Sequence, residues 1–282
     1  MINFEICCKI IVKVVERGRE KIKKYIRSRK LLLIAVLCNI FLLFSVVSRD
    51  CTNDTYCYDS GGLHFSSKDL GIDKFFPRSK VETRGIDVSK WQGDIDWGKV
   101  KRSGVGFAII RLGFGRRLDR RFHANMRNAK LNGIPCGVYH YSYATNRSEA
   151  RAEADYCLRN LQQYKLEYPV VFDVEEDRLR NLGQMQLSEI CDGFCSRMRE
   201  KGYYVSIYSY SYWVKNYLPK VLFSKYDLWV AKYGGKRPYG CTFGMWQYTS
   251  SGQVDGINGR TDCDISYFDY PSMMREMHLN GY

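Results

Sequence analysis

The stretch PVVFDVEEDRLRNLGQMQLSEICDGFCSRMREKGYYVSIYSYS, residues 169–211, decides the fold. It opens on a short apolar, β-branched run, PVVFDVEE (169–176), which reads as a strand. LSEICDGFCSRMREKG (187–202) then has helical patterning and ends on Gly202, where a left-handed cap is expected. YVSIYSYS (204–211) returns to a strand. Strand, helix, strand in this order implies a βαβ unit and a parallel pair. The same alternation extends both ways. Upstream lie strand candidates at 85–91, 107–114 and 135–144; downstream lie others at 227–233, 243–249 and 261–268. Helical patterns at 95–104, 119–133 and 148–165 separate the earlier strands. Gly104 and Gly133 close two of them, and Asn146-x-x-Glu149 resembles a capping box opening the third. Eight strand candidates in about 200 residues predict an α/β barrel. The last three leave little room for helices, so a regular eightfold barrel does not fit.

The rest of the chain is organised differently. Its 282 residues carry 44 Lys+Arg against 30 Asp+Glu, a net charge of +14. A balance of that kind raises nucleic acid as a partner. Position argues otherwise. Residues 1–30 hold ten basic side chains against Glu5, Glu16 and Glu20, and next comes LLLIAVLCNIFLLFSVVS, Leu31 to Ser48, with no charge. A helix of that length rises about 27 Å, close to a bilayer core. A buried core helix is one alternative, and the all-round apolar run with its charged flanks, Arg29-Lys30 and Arg49-Asp50, favours a membrane span over it. A cleaved signal is the stronger alternative; the long basic segment and the lack of a convincing small-x-small cleavage site weigh against it. The expectation is an uncleaved single-pass signal anchor, with residues 1–30 cytoplasmic and the remainder outside. The basic segment reads either as an amphipathic helix on the inner leaflet or as a solvated tail. Half of the charge excess is thereby a topology signal, and no nucleic-acid partner is expected.

Residues 49–83 lack clear periodicity and read as a stalk, followed by a catalytic domain over 84–270 and a tail over 271–282. Of 11 Cys, eight would lie outside, an even number that suits an oxidising compartment. Cys51 and Cys57 are candidates to clip the stalk. Cys191 and Cys195, four apart on a helix, would have Cβ atoms about 5–6 Å apart, too far to pair. No C-x-x-C pair exists and the four His are scattered, so no metal or cofactor is expected.

In barrels of this kind chemistry gathers at the C-terminal strand ends. Four carboxylates stand there or nearby: Asp87, Asp173, Glu175 and Asp262. Asp173 and Glu175 are two apart on a strand and face the same side, whereas Glu176 and Asp177 point away or into the loop. Two carboxylates crowded among apolar neighbours cannot both ionise freely, so one pKa rises. A raised Glu is what a general acid needs to protonate a glycosidic oxygen. Tyr139, Tyr141 and Tyr143 alternate on one strand, and Trp229, Trp246 and Tyr248 lie on later ones. Flat apolar faces beside carboxylates suit sugar rings, although core packing explains any single aromatic better.

RGIDVSKWQGDIDW (84–97), GVYHYSYA (137–144), VVFDVEE (170–176), LWVAKY (228–233) and MWQYTSSGQVDGINGRTDCDISYF (245–268) resemble, in order, the signature segments of glycoside hydrolase family 25, the Chalaropsis-type lysozymes. The resemblance covers 84 to about 270. It implies a TIM-like (β/α)5(β)3 barrel and hydrolysis of the β-1,4 bond between N-acetylmuramic acid and N-acetylglucosamine in bacterial peptidoglycan. It implies that Glu175 is the acid catalyst and Asp173 the second catalytic carboxylate. Asp87 and Asp262 would shape the cleft's electrostatics and hold substrate, and Tyr139, Tyr141, Trp229 and Trp246 would line the groove. Arg111 stands in a segment that varies across the family. The expected protein is a membrane-anchored wall hydrolase; the alternative is a wall-binding scaffold of the same fold without the chemistry. Oligomeric state is not legible.

Overall fold

The computed structural model describes residues 62–67, 71–238 and 241–282, all within the unit Cys57–Tyr282. The expected anchor, Leu31–Ser48, and the Cys51–Cys57 clip lie outside the described residues. Among the described residues, no helix is long and apolar enough to cross a membrane.

Two strands, β1 (Gly62–Ser67) and β2 (Ile72–Pro77), form an antiparallel hairpin. The barrel follows as β3 (Thr83–Val88), β4 (Phe107–Phe114), β6 (Cys136–Tyr141), β7 (Val170–Asp173), β8 (Val205–Tyr210), β9 (Asp227–Ala231), β10 (Met245–Gly252) and β11 (Thr261–Ser266), while β5 (Arg117–Leu118) folds back on the end of β4. Pairing runs β3-β11-β10-β9-β8-β7-β6-β4, and β3–β4 closes the ring. Every pair from β3 through β10 is parallel, whereas β11 is antiparallel to both neighbours. Helices α1 (Trp97–Arg102), α2 (Phe122–Leu131), α3 (Arg147–Leu161) and α4 (Gln184–Arg199) follow the first four barrel strands. Two short ones, α5 (Ser211–Asn216) and α6 (Val221–Lys225), follow the fifth, and α7 (Tyr270–Glu276) ends the fold. This is the expected set of five βα units and three further strands.

Local chemistry explains the boundaries. Gly104, Gly133 and Gly202 end helices or their last turns at φ of 89°, 65° and 79°, values that favour glycine. Asn146 caps α3 by accepting from the Glu149 N–H at 3.0 Å. The Glu149 carboxylate reaches one residue further back than a capping box would take it, to the N–H and hydroxyl of Thr145.

The barrel floor is aromatic. Phe107 and Tyr168 stack at 4.3 Å, which glycine permits. A Cβ on Gly85 would stand 2.4 Å from the Phe107 ring, and one on Gly137 would stand 2.7 Å from Tyr168 Cβ. The layer between strands and helices is filled by buried side chains such as Met126, Leu161, Ile190 and Phe194.

Two segments belong more closely to the barrel than their sequence indicates. Within the expected stalk, Phe65 of β1 packs at 5.1 Å from Tyr204, at the floor end of β8, with the Arg199 guanidinium 4.9 Å over its ring. Lys74 of β2 pairs with Glu276 at 2.6 Å. In the expected tail, buried Asn280 accepts from the Tyr204 N–H at 2.8 Å and donates to the Tyr168 carbonyl at 2.9 Å. The six described cysteines, Cys136, Cys157, Cys191, Cys195, Cys241 and Cys263, are free and buried. They therefore form no disulfide framework among themselves and act as small core side chains; Cys191 and Cys195 do not pair, as their helical spacing requires. Burial pushes the thiols of Cys136 and Cys191 up to about 12.

Candidate active site

The end of the barrel opposite the hairpin holds a cavity of about 260 Å³. Asp87 is the penultimate residue of β3, Asp173 is the last of β7, and Glu175 follows two residues later. Asp262 joins them because β11 runs the other way, so its start lies at the same end; it is in register with Asp87. All four line the cavity, together with Tyr139, Tyr141 and Trp229. Seven of the eight residues singled out from sequence are thus brought together.

Trp246 is the exception and corrects the expectation. Its neighbour Gln247 lines the cavity, and successive strand residues face opposite ways. Trp246 is buried outside, its indole N–H donating to the Lys232 carbonyl at 2.9 Å. Trp229 also differs in detail. It walls the cavity but is 1% exposed, and its N–H donates to Asp264 at 2.9 Å. It holds a carboxylate as much as it offers a surface.

The electrostatics are dominated by buried acid. Burial first, then the charges of Asp262, Glu176 and Asp177, lift the Glu175 carboxyl from 4.5 to about 7. Every one of these causes acts upward. Asp173 is raised by burial and by Glu175, but the positive charge of Arg111 opposes both. Burial lifts Asp262 to about 6. Asp87 is raised by burial and by Asp264 and Asp262, with the Gln247 amide working the other way. Asp173 Oδ1 and Glu175 Oε2 have no hydrogen-bond partner among the described residues, so both remain available to a bound molecule.

Two supporting networks were not anticipated. Gln247 Nε2 donates to Asp87 Oδ2 at 2.6 Å, and its Oε1 accepts from Tyr208 at 2.9 Å and Tyr233 at 2.7 Å. Two hydroxyls thereby fix the amide, and the amide fixes Asp87. On the other wall, Arg111 Nε donates to Asp119 at 2.7 Å, and a second nitrogen lies 2.6 Å from the same oxygen. Asp119 also accepts from the backbone N–H groups of Lys90 and Arg121. Arg111 is consequently held as a fixed cation. Sequence signals existed for some of these: Asp264 is two residues from Asp262, and Tyr208 alternates with Tyr210. The pairing of Gln247 with Asp87, 160 positions apart, has no local signal.

Known proteins share this arrangement of chain. A family model described as glycosyl hydrolases family 25 matches residues 86–257. Lysozyme M1 of Streptomyces globisporus is 32% identical over 201 residues, 66% of this chain and 68% of the relative. The crystal structure of the bacterial lysozyme from Streptomyces coelicolor superposes with a TM-score of 0.60 at 30% identity, covering 72% of this chain and 98% of that one. The modular autolysin LytC from Streptococcus pneumoniae, in complex with a synthetic peptidoglycan ligand, gives 0.59 at 26% identity over 74% of this chain and 52% of its own.

Proposed function

This chain belongs to glycosyl hydrolases family 25, and from that premise we propose that it is a membrane-anchored muramidase in which Glu175 is the general acid and Asp173 the second catalytic carboxylate. It is a glycoside hydrolase of the lysozyme kind, and peptidoglycan is its substrate. The observation that carries the residue assignment is the Glu175 carboxyl at about 7 beside Asp173 at the exit of β7.

The two carboxyls differ in one respect that sets their roles. Nothing near Glu175 favours its anion, whereas Arg111 favours that of Asp173. Burial pushes both carboxyls up, Asp173 well above the usual carboxylate range, and with Arg111 drawing Asp173 back toward its anion we place the working proton on Glu175. In the reaction it passes to the glycosidic oxygen as the bond from the muramic acid C1 breaks, and the leaving N-acetylglucosamine departs as an alcohol. Positive charge develops at C1, and the Asp173 anion stabilises it in a site partly shielded from water. Water supplies the hydroxyl of the new reducing end. Asp87, fixed by Gln247, and Asp262 hold the sugar. Tyr139, Tyr141 and Tyr210 present ring surface and hydroxyls to the glycan.

The anchor is Leu31–Ser48, with residues 1–30 cytoplasmic and the barrel outside the cell. An apolar run flanked by Arg29-Lys30 and Arg49-Asp50 supports that reading, and local wall remodelling is the role it suits. Protease treatment of intact spheroplasts tests it: the barrel should be digested from outside, and a barrel found mainly free in the medium would refute anchoring.

Activity is tested by mass spectrometry of soluble fragments from peptidoglycan treated with the detergent-purified full-length chain, wild type beside Glu175→Gln. Muramic-acid reducing ends from the wild type alone are expected. Fragments from neither protein, with both shown folded, would leave a wall-binding scaffold.

A further inference from the structure

A second cavity, of about 650 Å³, opens beside the catalytic one. Tyr141 stands between them: its hydroxyl, on the catalytic side, donates to Glu176 Oε2 at 3.2 Å, and Glu176 lines the second cavity. Glu175 lines the catalytic cavity and the next residue, Glu176, lines this one, so the second opening lies next to the carboxyl assigned as acid.

The lining is unsuited to another sugar ring. Its one large aromatic, Tyr143, has the Arg178 guanidinium 5.1 Å from its ring centre and Tyr141 against its edge. The remaining wall mixes small residues, Gly115, Ala144 and Ala152, with charged and polar ones. Two of its carboxylates are committed internally. Glu153 accepts from the Ser142 hydroxyl at 2.8 Å and the Tyr143 N–H at 3.0 Å, and Glu149 is bonded to Thr145. Three groups are left to a ligand. Arg178 spends one nitrogen on the Tyr143 carbonyl and stands 4.0 Å from Glu176. Arg116 is exposed and forms no hydrogen bond or ion pair among the described residues. Glu176 keeps the oxygen that Tyr141 does not use. Two guanidiniums and a carboxylate around one opening suit a chain bearing both signs of charge and amide groups. A polyphosphate would meet three carboxylates there, and a neutral glycan would leave the guanidiniums unanswered.

We propose that this cavity receives the peptide substituent carried by the glycan, Arg116 and Arg178 meeting its carboxylates and Glu176 its amino or amide N–H groups. The inference rests on the muramidase reading and narrows its substrate to glycan bearing peptides. Cutting of stem-bearing strands is thereby favoured over cutting of bare ones.

The test compares two substrates with the full-length chain: peptidoglycan with its peptides, and the same glycan after an amidase has removed them. Wild type should show kcat/KM about tenfold higher on the first, the advantage of one or two charge-assisted contacts. Arg116→Ala combined with Arg178→Ala should remove that advantage and leave cleavage of stripped glycan within about twofold, which also reports that the variant is folded. Ser148→Trp, which adds a bulky ring to the cavity lining and keeps both arginines, should act the same way. Equal losses on both substrates, or no loss on either, would overturn the proposal. So would a wild type that cuts both substrates equally well. A wild type that cuts neither refutes the muramidase reading itself, a different result from any of these.

Discussion

Replacing Glu175 by Gln should abolish cleavage and at the same time stabilise the fold, in a pH-dependent way. Folding lifts this carboxyl from 4.5 to about 7. The folded protein thus keeps a proton that the unfolded chain gives up. Below about pH 4 both states are protonated, and the site costs the fold nothing on that account. As pH rises through the interval, the unfolded state ionises first and gains on the folded one. Above about 7 the loss is complete, at about 3 kcal/mol for a lift of this size. Gln has the shape of the protonated acid and never ionises, so it escapes this loss. It also relieves Asp173 of its largest like-charge neighbour. For a domain of this size, about 3 kcal/mol corresponds to a rise in Tm of about 6–12 °C. The assay is thermal denaturation of wild type and variant from pH 4 to pH 8. The two curves should meet at low pH and separate steadily above pH 5. A constant difference, or none, would show that the fold does not hold Glu175 protonated, and the acid assignment would fall with it.

Arg111→Gln removes the charge that opposes the upward pressure on Asp173; the acid limb of the kcat/KM profile should move to higher pH, and Arg111→Lys should return part of it. Gln247→Leu leaves Asp87 and two tyrosine hydroxyls without their partner, so kcat/KM should fall by about tenfold to a hundredfold and chemical denaturation should show a loss of about 1–3 kcal/mol. Trp246→Phe lies outside the cavity and loses the bond to Lys232 and part of a buried ring; KM should stay within about twofold while stability falls by about 1–2 kcal/mol. A large rise in KM would return Trp246 to the groove.

The fold was legible because each βα unit carries its own signal: an apolar run, a helical repeat and a stop. Strand β4 coincides with its sequence reading from Phe107 to Phe114. The hairpin was not legible, since Leu63 and Phe65 are buried only by partners such as Tyr204, far along the chain. Asn280 was missed for the same reason: its value lies in two backbone groups it reaches across the floor. At the site, the carboxylates were readable because strand ends and spacing by two are local properties. The parity of β10 was not. Its pairing with β11 shifts register after Gln247, and a neighbouring tryptophan is the louder signal. The Arg111–Asp119 and Gln247–Asp87 pairs exist only once strands and loops are side by side.

The hairpin's register gives it a mechanical character. Gly62 is paired with Pro77, so the point where the chain enters and the point where it leaves toward the barrel are adjacent. A pull on the residues before Gly62 therefore loads one bonded pair at a time, as in opening a zipper, rather than shearing all the pairs together. The anchoring knob is Phe65, held against Tyr204 and Arg199; once it slips, the remaining pairs give way in turn. Fully drawn out, the segment 62–77 yields roughly 50 Å of slack. Until that slack is used, the tension passed on to Thr83 and the closed ring of strands behind it stays near what opens one pair of the hairpin. The hairpin is a fuse: it yields first, and the catalytic end of the barrel keeps its geometry under load.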